Sequence, residues 1–168
     1  GIAMNADTMT NRTFAEIEIG EKASLTRTLK PLDIQLFATL TGDLNPTHLD
    51  ENFAREHQAG QRVGPSMWVA SLLSGLFGCQ LPGPGSVFAA QSFRYLRPVH
   101  LNDTLTLTAE AREKRPDTRT VVFACTAVNQ RGETVMEATV EVVAPAEKVV
   151  APRPELAAHD LDIVITAT

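Results

Sequence analysis

Cysteine is scarce: Cys79 and Cys125 are the only two thiols in 168 residues, each in an apolar setting (LFGCQL and VVFACTAV). Such a pair argues against a disulfide framework. It reads as two small core residues, with a reducing cytoplasm as the expected compartment. No apolar run approaches the roughly 20 residues that cross a bilayer. The opening GIAMNADTMTNRTF has neither the basic start nor the apolar centre of a secretory leader. Basic charge is in deficit, with 15 Lys+Arg against 20 Asp+Glu and a net charge of -5. No general electrostatic pull toward nucleic acid or an anionic membrane is therefore expected. The chain has no Cys/His cluster and no helical His pair, so no metal site is expected. The PGPG run at 82–85 lacks the Gly-Lys-Ser/Thr ending of a phosphate loop and marks a tight connection instead. What remains is 43% hydrophobic and 21% charged residues, the balance of an ordinary globular domain.

The residues that are present separate by period. KASLTRT, at 22–28, alternates polar and apolar and predicts a short strand. PLDIQLFATLT, at 31–41, carries Leu32, Gln35, Leu36 and Leu40 at helical spacing. Pro31 suits its first turn and Gly42 its C-terminal stop. In GDLNPTHLD, Asn45 precedes a proline and is biased to extended geometry, so no helix is expected there. SMWVASLLSGLFGCQL, at 66–81, is apolar on every side, which predicts a fully buried helix. At about 1.5 Å per residue it is roughly 20 Å long or more. Strands are predicted at 86–95, 104–113, 118–129 and 134–143, separated by turn chemistry at RPVHLND, KRPD and NQRGE. One buried helix ahead of an antiparallel run predicts an α+β fold, with the sheet curled around the helix. The first of those four strands is a candidate dimer edge. Residues 145–168, with Pro145, Pro152 and Pro154, read as a Pro-rich linker or C-terminal tail. Its apolar stretch at 161–165 either packs back on the domain or leads into a further one.

Chemistry can be carried by Asp43-x-Asn45-Pro46-x-His48. A carboxylate and an imidazole five residues apart, on a loop stiffened by proline, can aim at one small volume. Histidine exchanges protons near neutrality, and aspartate acts as base or orienter. On spacing alone a turn-forming Asp and a structural His remain open alternatives. The strings TGDLNPTHLD, GPSMWVASLLSGLFGCQLPGPGS and FAAQSFRYLRPVHLNDTL, in order within 14–143, resemble the MaoC-like hydratases, the (R)-specific enoyl-CoA hydratases. The resemblance implies a hot-dog fold over residues 14–144, with a sheet wrapped around a long central helix, and assembly as a homodimer or larger oligomer.

It also implies a reaction, the reversible syn hydration of a trans-2-enoyl thioester to an (R)-3-hydroxyacyl thioester. The family residues matching Asp43 and His48 hold a water, deprotonate it for attack at C3 and return a proton to C2; Asn45 matches a position that fixes the pair. No metal or organic cofactor is implied, and coenzyme A (or acyl carrier protein) enters only as part of the substrate. Where the family usually has His-Gly-Met at the helix start, this chain has Pro65-Ser66-Met67. The backbone N–H groups of Ser66 and Met67 are then the expected oxyanion hole, tightened by the Cβ of Ser66.

Ser74 matches a family serine near the pocket and reads equally as a small residue at a helix contact. Arg94 and Arg97 lie in a basic stretch with Arg112, Lys114, Arg115 and Arg119, either a solvated face or a docking site for coenzyme A phosphates. His57, His100 and His159 have no partner pattern and read as surface or capping residues. A hot-dog acyl-CoA thioesterase, or a non-catalytic acyl-CoA-binding domain, are the alternatives. AREKRPDTRTVVFACTAVNQRGETVMEATVEVVAPAEKV and the tail are similar to the N-terminal hydratase domain that some bacterial proteins join to a phosphate acyltransferase.

Overall fold

The computed structural model describes residues 7–57 and 60–156. In chain order the elements are β1 (Thr8–Thr10), β2 (Lys22–Thr28), α1 (Pro31–Thr41), α2 (Pro46–Leu49), α3 (Glu51–His57), α4 (Ser66–Cys79), β3 (Val87–Tyr95), β4 (Thr104–Arg115), β5 (Thr120–Val128), β6 (Thr134–Val143) and β7 (Val150–Pro152). The period-2 stretches of the sequence become a five-stranded antiparallel sheet in the order β2-β4-β5-β6-β3. Leu105, Leu107, Ala109 and Ala111 of β4, with Val121, Phe123, Cys125 and Ala127 of β5, point to one face and are buried. They share a core with Trp68, Leu73, Leu76 and Phe77 of α4. Both edge strands, β2 and β3, reach α4. Five strands about 4.8 Å apart are far wider than a helix, so both edges can touch it only if the sheet curls round it.

The curl covers only part of the helix. Trp68, Val69, Leu73, Leu76 and Phe77 are buried, whereas Met67, Ser71, Ser74 and Gly78 form an exposed stripe at spacings of four and three. The expectation of a helix buried on all sides is thus corrected, because one chain's sheet encloses one side. Cys79, at the end of α4, is exposed, which corrects its reading as a core residue, whereas Cys125 is buried. Burial pushes the Cys125 thiol up to about 12, so it stays protonated and inert at neutral pH.

Of the stretch expected to be a linker or tail, Val150–Pro152 pairs antiparallel with Thr8–Thr10; residues 157–168, with 161–165 and His159, lie outside the described residues. Asn11 pins the three segments at this corner. Its Nδ2 donates to the carbonyls of Pro84 (3.2 Å) and Glu147 (2.9 Å), and its Oδ1 accepts from the Val149 N–H (3.0 Å). The chain approaches so closely that a Cβ on Gly83, at φ +89, would meet the Thr10 carbonyl at 3.1 Å.

Carboxylates near this corner and at the β3–β4 turn are held charged. The Thr13 N–H and the Lys148 ammonium lower Glu16 from 4.5 to about 2. The Arg12 guanidinium lowers Glu21. Burial alone would raise Asp103, but hydrogen bonds from Gln130 and the His100 N–H leave it lowered. A carboxylate with a depressed native pKa stabilises the fold above its unfolded value and loses that contribution as pH falls through the native one. Denaturant midpoints are therefore expected to be flat from pH 7 to about 5 and to fall between about 5 and 2. Equal midpoints at pH 7 and 3 would contradict this.

Candidate active site

The turn between α1 and α3 is written residue by residue. Gly42 takes the left-handed conformation (φ 74) that ends α1, its N–H donating to Ala38 O. The Asp43 N–H donates to Thr41 Oγ1, and Asp43 Oδ1 accepts from the Asn45 N–H at 3.1 Å. The Asn45 side chain accepts from the Thr47 N–H at 3.1 Å, and Pro46 follows. This makes Asn45 the N-cap of a four-residue helix with proline in its first turn, which corrects the expectation that no helix forms here. The pre-proline bias that favoured extended geometry applies to Asn45, the cap, and leaves the residues after it free to turn. Asp50 Oδ1 accepts from the Asn52 and Phe53 N–H groups at the start of α3.

His48, carried by α2, turns its ring inward. Its Nδ1 lies 2.7 Å from Val63 O, and its Nε2 lies 3.6 Å from Asp43 Oδ2. A carbonyl only accepts, so Nδ1 bears the proton of the neutral ring and Nε2 keeps a lone pair. Nε2 and the carboxylate are then two acceptors side by side, and only a shared donor, such as a water, bonds both. The His48 side chain is 13% exposed and that of Asp43 38%, so the imidazole is sheltered while the carboxylate borders the opening.

The cleft they face has a volume of about 430 Å³ and is lined also by Phe37, Thr41, Pro65, Ser66, Met67 and Ser71. Pro65 is the N-cap of α4, so Ser66 and Met67 occupy its first turn, where N–H groups have no intrahelical carbonyl. Asp43, His48, Ser66 and Met67 are thus brought together, and Asn45 supports them from outside the cleft. Ser74 lies in an adjoining cleft of about 270 Å³, with Met67, Ala70, Ser71, Phe88, Gln91 and Phe93. Met67 and Ser71 belong to both, and the Tyr95 hydroxyl donates to Met67 Sδ at 3.6 Å.

Arg94 and Arg97 are not brought to either cleft. Gln91 and Phe93 of β3 line the smaller one, and by strand alternation Arg94 points to the opposite face, in register with Glu137. Arg97 pairs with Glu133 at 3.8 Å. Other members of the basic stretch are internally matched: Arg112 with Glu110, and Arg115 with Glu113 and Glu141. Lys114 donates to Ile17 O. The Val63 carbonyl, 15 residues from His48, was invisible to sequence reasoning because a backbone acceptor has no residue signature. Phe37 and Thr41, at i and i+4 on α1, had a helical signal but no chemical one.

The close approach that brings Val63 to His48 requires glycine next door. A Cβ on Gly64 would stand 2.5 Å from Leu29 Cδ2 and 3.3 Å from Val99 O, and Leu29 is fully buried. Gly64→Ala is expected to destabilise the protein by about 1–3 kcal/mol through overpacking. It should also displace the Val63 carbonyl from the His48 ring. A wild-type denaturation midpoint in the variant would refute the close approach.

Comparison with known proteins bears on this geometry. Residues 13–143 match the MaoC like domain. An (R)-specific enoyl-CoA hydratase of Rhodospirillum rubrum is 35% identical over 143 residues, 85% of this chain and 99% of that one. A 3-hydroxybutyryl-CoA dehydratase of Methylorubrum extorquens is 35% identical over 113 residues, 67% of this chain and 72% of that one. Among solved structures, the unliganded R-hydratase PhaJ1 of Pseudomonas aeruginosa superposes with a TM-score of 0.85 at 37% identity, over 89% of this chain and 96% of that one. The (R)-hydratase of A. caviae involved in PHA biosynthesis gives 0.74 at 33% identity, over 77% and 98%. The α+β hot-dog fold expected from the sequence is borne out. With its matching domain spanning most of its length, the chain belongs to the MaoC-like domain family.

Proposed function

We propose that this protein is an (R)-specific enoyl-CoA hydratase, a hydro-lyase that adds water reversibly across the C2=C3 bond of a trans-2-enoyl thioester. The observation that carries the reading is the facing of two acceptors, His48 Nε2 and Asp43 Oδ2, at 3.6 Å on the wall of a cleft that also holds the first turn of α4. In this reading a water donates to both groups. Its oxygen attacks C3, the pair accepts one of its protons, and the C2=C3 electrons move toward the thioester oxygen. The N–H groups of Ser66 and Met67 bind that oxygen as it gains charge. The pair returns a proton to C2, so H and OH have added from one side and the protein ends as it began. The conjugated thioester is electrophilic already, and acid–base groups supply the rest of the chemistry, with no organic cofactor or metal called on.

The acyl chain is proposed to run past Met67 toward Ser74 and Phe93, where the two clefts share a wall. Arg94 and Arg97 line neither cleft and are given no role in this reading. A homodimer formed along β3 is part of the proposal. Among the described residues that strand is an edge with one neighbour, β6, and exposes Val87, Phe88 and Tyr95, a surface that pairing with a second copy would cover. We take the setting to be the cytoplasm, consistent with two free cysteines. Among the described residues no helix is long and apolar enough to cross a membrane.

Crotonyl-CoA tests the reading directly. Loss of the enoyl absorbance, with (R)-3-hydroxybutyryl-CoA as the product on chiral analysis, is expected. Release of free coenzyme A thiol instead would make the protein a thioesterase, and neither change would make it a binding domain.

A further inference from the structure

The segment that supplies the acceptor for His48 is held crosswise from two sides. Its first peptide, Arg62–Val63, offers its carbonyl to His100 Nδ1 at 3.1 Å and its N–H to Thr47 O at 3.1 Å. Its second, Val63–Gly64, offers its carbonyl to His48 Nδ1 at 2.7 Å and its N–H to Val99 O. Each peptide thus has one bond toward α2 and one toward the segment at 99–100, which bridges to Val63. The side-chain ties in this set are two imidazoles on successive carbonyls. Successive carbonyls of an extended chain point opposite ways, so the two rings grip it from opposite sides.

His100 is itself anchored. Its N–H donates to Asp103 Oδ2 at 3.0 Å, and Asp103 Oδ1 accepts from Gln130 Nε2 at 2.8 Å. Asp103 is 4% exposed and immediately precedes β4, so the anchor is buried at the end of the sheet. The Arg62 carbonyl is an acceptor, so His100 Nδ1 carries a proton in that bond. Without it the first peptide is held at one end only and can tilt. The tilt swings the Val63 carbonyl away from the His48 ring. The same segment leads through Pro65 into the first turn of α4.

We infer that His100 is a positioning residue for His48. It donates from Nδ1 to the Arg62 carbonyl, and so holds the Val63 carbonyl where it fixes the ring orientation and Nδ1–H tautomer of His48. The inference rests on the hydratase reading for its kinetic consequence and on geometry alone for its structural one, so the test reads both. Crotonyl-CoA kinetics and the His48 imidazole N–H signal in nitrogen–proton NMR are compared in the wild type, His100→Ala, His100→Asn and His100→Gln. The amide nitrogen of Asn sits where Nδ1 does, whereas that of Gln reaches the Nε2 position.

His100→Ala and His100→Gln are expected to lower kcat about tenfold, with KM within about twofold, as the loss of one hydrogen bond's orientation implies. Both should broaden or shift the His48 Nδ1–H signal, and His100→Asn should restore both readouts. Wild-type kcat and an unchanged His48 signal in His100→Ala overturn the inference. If His100→Ala does not fold, equal behaviour of the Asn and Gln variants overturns it instead. A wild type inactive toward crotonyl-CoA, whose His48 signal still responds to His100→Gln and is kept in His100→Asn, would sink the hydratase reading and leave the positioning role standing.

Discussion

Asp43→Asn is expected to leave a folded protein whose hydration of crotonyl-CoA has dropped by about 10²–10⁴-fold, the usual worth of a positioned acid–base group. The amide keeps an oxygen to accept from the Asn45 N–H, so the turn survives, but it cannot take a proton from water. His48→Ala should lose activity to a similar degree. His48→Asn sharpens the comparison: its Nδ2 can still donate to Val63 O, which preserves the tether and removes only the base at Nε2. The fall should appear in kcat, since nothing in either change removes contacts to the acyl chain. The measurement is steady-state kinetics beside near-ultraviolet dichroism. Native dichroism with turnover within about threefold of wild type, in either His48→Asn or Asp43→Asn, would take the pair out of the chemistry.

Asn11→Ala is expected to destabilise the protein by about 3 kcal/mol, at a residue remote from the cleft. The side chain has no solvent exposure, and it serves the Pro84 and Glu147 carbonyls and the Val149 N–H together. Truncation leaves all three without that partner around a side chain closed to water, and an orphaned group there costs more than a surface hydrogen bond returns. Asn11→Asp is a stricter probe, because a carboxylate can replace the acceptor but not the two donors, and it places a charge against two carbonyls. Urea denaturation measures both. A loss below about 1 kcal/mol for Asn11→Ala would mean that the corner relaxes around the gap.

The two expectations concern different physics. Asp43 and His48 sit in a turn outside the main core, and their replacement changes chemistry more than burial. Asn11 joins segments from the start, middle and end of the chain, and its replacement changes burial and no chemistry. A pH series separates them further. The carboxylates held charged at Glu16, Glu21 and Asp103 act on stability below about pH 5, while the proposed roles of Asp43 and His48 would act on rate.

Local chemistry made much of this legible in advance. The alternation in KASLTRT and in the later strands set period-2 segments that could only become sheet. Pro31 and Gly42 marked the ends of α1, observed at Pro31–Thr41. The string from Gly42 to His48 shows a stop and a proline-stiffened turn that carries a carboxylate and an imidazole, though not the short helix that Asn45 caps and Pro46 starts. What a residue does to near neighbours follows from its own covalent geometry, and so it can be read from one sequence.

Other features depended on which distant segments meet. Apolarity all round α4 could not reveal that the curled sheet would enclose one side and leave Met67, Ser71, Ser74 and Cys79 exposed. Charge along β3 could not tell that alternation would turn Arg94 away from the clefts. Val63 O and Arg62 O were silent because every residue carries a carbonyl, and His100 had no pattern because its partner lies 38 positions away. The sequence by itself determined β2, α1, the α4 segment and the four later strands, since those rest on short-range sterics and hydrogen bonding; the short helices α2 and α3 and the β1–β7 pair it did not show. Only the tertiary structure decided which face of α4 is open, which lone pair of His48 is free and what holds it there, because those depend on contacts between segments far apart in the chain.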